Sequence, residues 1–358
     1  MIEKIVCEKI LTVGPDYRAQ GGMSSVLKIY TSFFQVFNFV STHDTSRKSL
    51  WQKLMLQCTA LFHFLKFMCC KQIRIVHLHT ADYTSFYRKS LLLLIAHIFS
   101  KKTIIHLHGH NFEEFYLSHR KYARFILQRA DTIIVIASYW RNFLLQERIY
   151  NNLIMIGNPI PLQTSDILEY RQKKHNKLLH VVFIGKIDED KGILDIVKML
   201  IQNKVFFTGK IFVDIAGIGH EVNKLKQLIR TEKLEQLIAF HDWADPEKKR
   251  ELYLAADLAL QPSHRESFGM GILEAMSYAL PVITCNTGGI PDLVKNNENG
   301  ILIFPQDISA MKEAIDRILN NPELRLEWGK RSYWLAAQFS IKMAEEKLYT
   351  VYQKLLES

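Results

Sequence analysis

Short runs rich in β-branched residues alternate with longer stretches of helical period along the chain. In the first half the runs are residues 9–14 (KILTVG), 73–80 (IRIVHLHT), 102–109 (KTIIHLHG) and 131–138 (DTIIVIAS). Between them, residues 24–39, 87–99 and 116–129 place apolar side chains at helical spacing. Strands separated by helices of that length are βαβ units, which build a parallel, doubly wound sheet. Prolines and polar residues break the pattern at 157–166 (GNPIPLQTSD), and a basic helix-like stretch follows to residue 178. The alternation then restarts, with strands at 178–185, 210–217, 237–243, 258–263 and 280–285 and helices at 193–201, 221–232, 248–256 and 272–279. After Asp307 the chain is helical by period, anchored by Trp328, Trp334 and Leu335, and residues 341–356 read as one helix.

The expected architecture is therefore α/β, with two Rossmann-like doubly wound domains. Residues 1–162 form the first and 163–340 the second, and a helix at about 341–358 packs back on the first. At 358 residues and 48% hydrophobic, the chain can fill two cores without cross-links. The five cysteines (Cys7, Cys58, Cys69, Cys70, Cys285) form no CxxC pair, so neither disulfides nor a metal site is expected. No basic region precedes an apolar one at the start, and the apolar run 91–99 is too short to span a bilayer, which points to the cytoplasm. Charge is divided unevenly: residues 1–158 hold 20 Lys and Arg against 9 Asp and Glu, the remainder 26 against 27. All of the net charge of +10 thus belongs to the first half, which suggests an anionic partner surface, nucleic acid or a membrane leaflet.

Ligands of open parallel sheets bind beyond the carboxyl ends of the strands, where strand order reverses, and two such sheets facing each other make a cleft. The residues just after strands are therefore the ones to read. Gly21 and Gly22 precede a helix, where backbone amides can approach a phosphate, but their spacing is not GxGxxG. His77, His79 and His106 read as polar residues closing strand ends, and His108, followed by Gly109, is assigned to the cleft. His106 and His108 share a strand face and could chelate a metal, yet no cysteine or carboxylate stands at ligand spacing. Lys186 and Lys191, flanked by Gly185 and Gly192, follow a strand and could stabilise a departing diphosphate. Gly217 and Gly219 again lie between strand and helix.

The most specific constellation is residues 263–294, SHRESFGMGILEAMSYALPVITCNTGGIPDLV, in which Glu266 and Glu274 bracket a glycine-bearing turn. Amides around Ser267, Phe268, Gly269, Met270 and Gly271 would lie at a helix N-terminus, ready for a phosphate or sugar hydroxyl. Glu274, one turn inside among Ile272, Leu273, Ala275 and Met276, could accept two hydrogen bonds from a ribose diol.

At these residues the chain resembles the family 4 retaining glycosyltransferases of GT-B fold, over essentially its whole length. The resemblance runs from Gly21 and Gly22 through His108 and Gly109, Asn158 and Pro159, residues 185–192 and 266–274, to Gly288, Gly289, Ile290, Pro291 and Asp292. It implies that Glu274 binds the nucleotide ribose, Glu266 the transferred sugar's hydroxyls, Lys186 and Lys191 the diphosphate, and that His108 lies near the reacting carbon. It further implies a nucleotide-diphosphate sugar as donor, a lipid-linked or growing glycan as acceptor, and retention of configuration without metal or other cofactor. Lys186 stands where the family commonly has arginine, and Asp292 where glutamate is usual; the first keeps charge but loses the bidentate fork.

Acceptors of that kind lie at an anionic leaflet, which matches the basic first half. Arg47, Lys48, Lys53, Lys66 and Lys71 flank the apolar stretch 54–70, read as an interfacial helix of a peripheral membrane protein on the inner face of the cytoplasmic membrane. The rival readings are a sugar-nucleotide 2-epimerase of the same fold and a nucleic-acid-binding protein. The second lacks any helix-turn-helix, zinc-finger or RNP-like pattern.

Overall fold

The computed structural model describes residues 1–19, 21–44, 49–174 and 176–358. They divide into unit 1, Met1–Pro159 with Ile341–Ser358, and unit 2, Ile160–Ser340. The boundary falls at Pro159, three residues before the position expected from the proline-rich break, and the helix Ile341–Glu357 belongs to unit 1.

Unit 1 holds six parallel strands: β1 Ile10–Pro15, β2 Phe39–His43, β3 Ile75–Thr80, β4 Lys102–Leu107, β5 Thr132–Val135 and β6 Asn152–Met155. Their order is β2-β1-β3-β4-β5-β6, so the chain reverses direction across the sheet between β1 and β3. Every residue of β3 is buried, as expected of a central parallel strand covered on both faces. Two strands of this unit were not legible in the sequence. The density of phenylalanines over 33–39 satisfies a helical as well as an extended period, so the helix expected over 24–39 reaches the first residue of β2 and leaves the rest of that strand unread, whereas the helix stops at Tyr30. β6 is an edge strand with no buried residue, and so lacks an apolar run.

Unit 2 repeats the plan with β7 Leu179–Ile184, β8 Ile211–Ala216, β9 Ile238–His241, β10 Leu258–Gln261, β11 Val282–Cys285 and β12 Gly300–Ile303. The order β12-β11-β10-β7-β8-β9 puts its reversal between β7 and β10. Leu179, Val181 and Phe183 of β7 pack into a core with Ile193, Ile196, Val197 and Leu200 of helix Ile193–Gln202, whose spacing makes one continuous apolar stripe. Each such side chain contributes about 1.5–3 kcal/mol by leaving water. Helix Asp166–Lys173 is fastened by the buried Arg171, whose guanidinium donates to the carbonyls of Tyr253 (2.7 Å), Ala256 (2.6 Å) and Tyr278 (2.9 Å). Those oxygens close the C-terminal ends of helices Pro246–Ala255 and Met270–Ser277, where a cation meets both orphan carbonyls and the negative end of the helix dipole. Both helices contribute to the site below.

Candidate functional site

The loops following β7 and β10 flank the reversal point of unit 2. After β7, Asp188 caps a short turn, Glu189–Lys191, by accepting from the Lys191 amide at 3.2 Å. That turn sets Lys191 Nζ 2.6 Å from Glu266 Oε2 in the loop after β10, with the carboxylate only 13% and the lysine 27% exposed. The other oxygen, Glu266 Oε1, accepts from the Ser267 amide at 3.1 Å. Lys186 differs: its ammonium is 59% exposed and pairs with Asp188 at 2.7 Å. Of the two lysines, Lys191 is the more buried cation and Lys186 the more exposed one.

Close main-chain packing holds these loops. At Gly217, with φ of +152°, a Cβ would sit 1.8 Å from the Gly185 carbonyl oxygen, so the loops after β7 and β8 touch backbone to backbone. The pairing of Gly185 and Gly217 is thus dictated by the protein itself. Gly288, at φ +50°, lies equally close to the carbonyl of Glu266, which explains why a glycine pair follows the two-glutamate segment.

Helix Met270–Ser277 begins at Gly269 with no side-chain cap, leaving its first amides without intrahelical partners. Phe268 is 1% exposed and packs edge-on against Phe339, so only its backbone can face a ligand. Glu274 lies one turn into the helix, partly exposed. Its Oε2 accepts from Lys249 Nζ at 2.9 Å and from the Tyr253 hydroxyl at 3.3 Å. Burial, reinforced by that carboxylate, holds the Tyr253 phenol well above its ordinary range. Lys249 and Tyr253 escaped sequence reasoning. Their signal was the four-residue spacing that puts both on one face of helix Pro246–Ala255.

In unit 1, Gly21 and Gly22 open helix Gly22–Tyr30, again without a side-chain cap, and a Cβ on either would meet nothing within 4 Å. His79 and His106 lie one residue short of the ends of β3 and β4, close to the strand ends the sequence suggested, and His77 lies further in. His77 and His79 lie inside β3 and His106 inside β4, all fully buried, because alternation places them on one face of adjacent strands. His77 Nδ1 is 2.7 Å from the Tyr352 hydroxyl and its Nε2 3.3 Å from His106 Nδ1, while His79 Nδ1 is 3.0 Å from His108 Nε2. Burial pushes His77 and His108 down to about 3 and His79 and His106 well below the ordinary imidazole range. All four are neutral imidazoles, and His108 is no proton donor near neutral pH. Another feature passed over in the sequence is Lys89, fully buried, with its ammonium 2.5 Å from Thr42 Oγ1 and pushed down to about 7 by burial. The described ion pairs give it no carboxylate.

Helix Leu50–Cys69 buries only Ala60, Phe64 and Met68 of its 20 residues. Trp51 (69% exposed), Phe62 (68%), Leu54 and Met55 face outward, with Lys53 and Lys66 on the same helix. Arg47 and Lys48 lie outside the described residues. Among the described residues no helix is long and apolar enough to cross a membrane.

Comparison with known proteins fits this geometry. Residues 166–334, nearly all of unit 2, match the family described as "Glycosyl transferases group 1". A D-inositol 3-phosphate glycosyltransferase of Corynebacterium jeikeium is 31% identical over 137 residues, covering 38% of this chain and 33% of that protein. The capsular polysaccharide biosynthesis glycosyltransferase CapM of Staphylococcus aureus is 26% identical over 193 residues, 52% of this chain and 50% of its own. This chain thus spans a third to a half of the length of these relatives. A crystal structure of Anabaena HepE in complex with UDP superimposes with a TM-score of 0.76 at 19% identity, over 97% of this chain and 100% of that one. That likeness gives the fold, the two-sheet GT-B arrangement.

Proposed function

We propose, taking unit 2's membership of the glycosyl transferases group 1 family as the premise, that the chain is a retaining glycosyltransferase. Its donor is a nucleotide-diphosphate sugar and its acceptor a lipid-linked or growing glycan in capsule, O-antigen or exopolysaccharide assembly, a setting suggested by the name of the S. aureus relative. The observation that carries the reading is the contact of Lys191 with Glu266, flanked by Glu274, at the reversal point between β7 and β10.

Without donor the two charges satisfy one another. With donor, a diphosphate oxygen takes the Lys191 ammonium and a sugar hydroxyl donates to Glu266, so each group exchanges one partner for another at little desolvation cost. Lys186 follows the same phosphate from the surface. The uncapped amides of Met270 and Gly271 receive a further oxygen, and Glu274, held by Lys249 and Tyr253 on one oxygen, presents the other to the ribose diol. As the bond from the anomeric carbon to the diphosphate breaks, charge grows beside two lysines and a helix N-terminus, the groups that stabilise it most. The acceptor oxygen attacks from the face the diphosphate leaves, and its proton passes to the departing phosphate oxygen, so configuration is retained. The lysines supply the positive charge that a metal would otherwise bring. His108, the resemblance's candidate beside the reacting carbon, is buried with its Nε2 directed to His79 and is not a general acid in this scheme.

A thermal-shift panel of UDP-, GDP-, ADP- and TDP-sugars in EDTA tests this. One nucleotide class is expected to raise the melting temperature by mass action. No shift with any donor, together with no transfer to lipid-linked acceptors, would sink the proposal.

The outward apolar face of helix Leu50–Cys69 with its lysines supports a peripheral seat on the inner leaflet, and with it an acceptor embedded there rather than a sugar-nucleotide 2-epimerisation. Each basic residue near an anionic surface contributes about 1 kcal/mol. The double reversal K53E/K66E is therefore expected to weaken binding to phosphatidylserine vesicles at least about tenfold. Unchanged sedimentation with vesicles would remove the membrane seat.

A further inference from the structure

The histidines of β3 and β4 form a cluster that the proposed reaction leaves largely unused. One ligand nitrogen from each of His77, His79 and His106 lies within 4.8 Å of the others, and all three residues are buried. His77 Nε2 and His106 Nδ1 are 3.3 Å apart. That is roughly the edge of a tetrahedron whose metal–nitrogen bonds are about 2.0–2.1 Å long. Buried ring nitrogens are also left over: His79 Nε2 and His106 Nε2 have no hydrogen-bond partner, and neither has the hydroxyl of Tyr30, whose ring lies edge-on to His79. An unsatisfied polar atom in a protein interior costs about 1–3 kcal/mol, and several around one spot point to an occupant.

The outer contacts fit a metal as well. A ligating imidazole usually carries its second nitrogen on a hydrogen-bond partner that fixes tautomer and ring orientation. His77 meets the Tyr352 hydroxyl through Nδ1, leaving Nε2 inward, and His79 meets His108 Nε2 through Nδ1, leaving its own Nε2 inward. If Nδ1–H of His79 donates to His108 Nε2, the proton of His108 stands on Nδ1, and Asn158 Oδ1, also buried without a partner, is the acceptor of matching type in the same unit.

We infer that His77, His79 and His106 bind one late first-row transition-metal ion, of the zinc type, as a structural site of unit 1. An all-nitrogen set without carboxylates suits zinc, cobalt, nickel or copper and disfavours magnesium, calcium and manganese. Water takes the fourth position, beside the Tyr30 hydroxyl. The ion joins β3 to β4 and, through Tyr352 on His77, reaches the helix Ile341–Glu357. It departs from the sequence expectation of no metal, because that expectation counted cysteines and carboxylates and could not see two strands brought side by side. The site is separate from the lysines proposed to hold the diphosphate, so transfer itself still needs no metal.

The test is metal content. Protein produced with zinc and purified without chelator is expected to carry one equivalent by elemental analysis, and cobalt-grown protein to show the visible absorption of tetrahedral cobalt. The variant H79N removes the inward Nε2 while keeping a polar atom near the ring's first position, and H106A removes the His106 ring, whose Nδ1 faces His77. Each should lose the stoichiometric ion and the cobalt band while its circular dichroism stays that of a folded protein, and the exposed-site control H220N should keep both. A folded wild type with neither metal nor cobalt band would mean that water alone fills the cluster, overturning the inference. One equivalent of metal retained in H79N/H106A would place the ion elsewhere and overturn it equally. Donor-induced thermal shifts are read independently, so failure here leaves the glycosyltransferase proposal standing.

Discussion

Replacing Lys191 by alanine is expected to lower kcat about 10²–10³-fold while the protein stays folded. The size follows from the loss of one preorganised charge beside a developing diphosphate, comparable to the loss of an oxyanion-hole donor. Lys191 rather than Lys186 should carry it. Lys191 is held by its turn and by Glu266, whereas Lys186 is mostly exposed and paired with Asp188, and ordering a long exposed side chain on a ligand costs rotamer freedom. K191A also strands the Glu266 carboxylate, largely buried at 13% exposure, so some loss of melting temperature will accompany the kinetic effect. K191R separates the two: the cation returns, and a substantial part of kcat should return with it. Steady-state kinetics giving K191A a raised KM at unchanged kcat would assign Lys191 to ground-state binding alone, and wild-type kinetics would remove it from the site.

The second large effect belongs to Glu274. Its free oxygen accepts from the ribose in the proposed complex, and charge-assisted hydrogen bonds of that kind contribute about 1.5–3 kcal/mol each. E274A should therefore weaken donor binding about 100-fold or more, and the donor-induced thermal shift should vanish at concentrations near those that saturate the wild type. Inorganic pyrophosphate provides the discriminating probe. It has no ribose, so the shift it produces should be the same in E274A as in wild type. Equal loss of both shifts would show that the variant has disturbed the whole loop, through the unpaired Lys249, and that the ribose assignment lacks support.

The residues of this site were unevenly legible in the sequence, for physical reasons. Glu266 and Glu274 stood out because a single loop and helix carry both, and local spacing is visible along a chain. Lys249 and Tyr253 did not, because they reach Glu274 across 25 and 21 residues and only the packing of two helices brings them together. The central strands were plain, since burial on both faces demands unbroken apolar runs. The edge strand β6 faces solvent and carries no such demand. The histidine cluster was hidden for a related reason: alternation shows that residues two apart on one strand share a face, but not that β4 brings His106 opposite His79, with a helix from the far end of the chain against His77.

That helix has a consequence for biogenesis. Unit 2 is an insertion in unit 1, since residues 160–340 emerge from the ribosome before Ile341–Glu357, the segment that covers His77 with Tyr352. During synthesis unit 2 can complete its core while unit 1 waits, with part of its sheet face still open to solvent and to chaperones. A nascent chain released at residue 340 would hold every group of the unit 2 site and a finished second domain, yet leave the first unsealed.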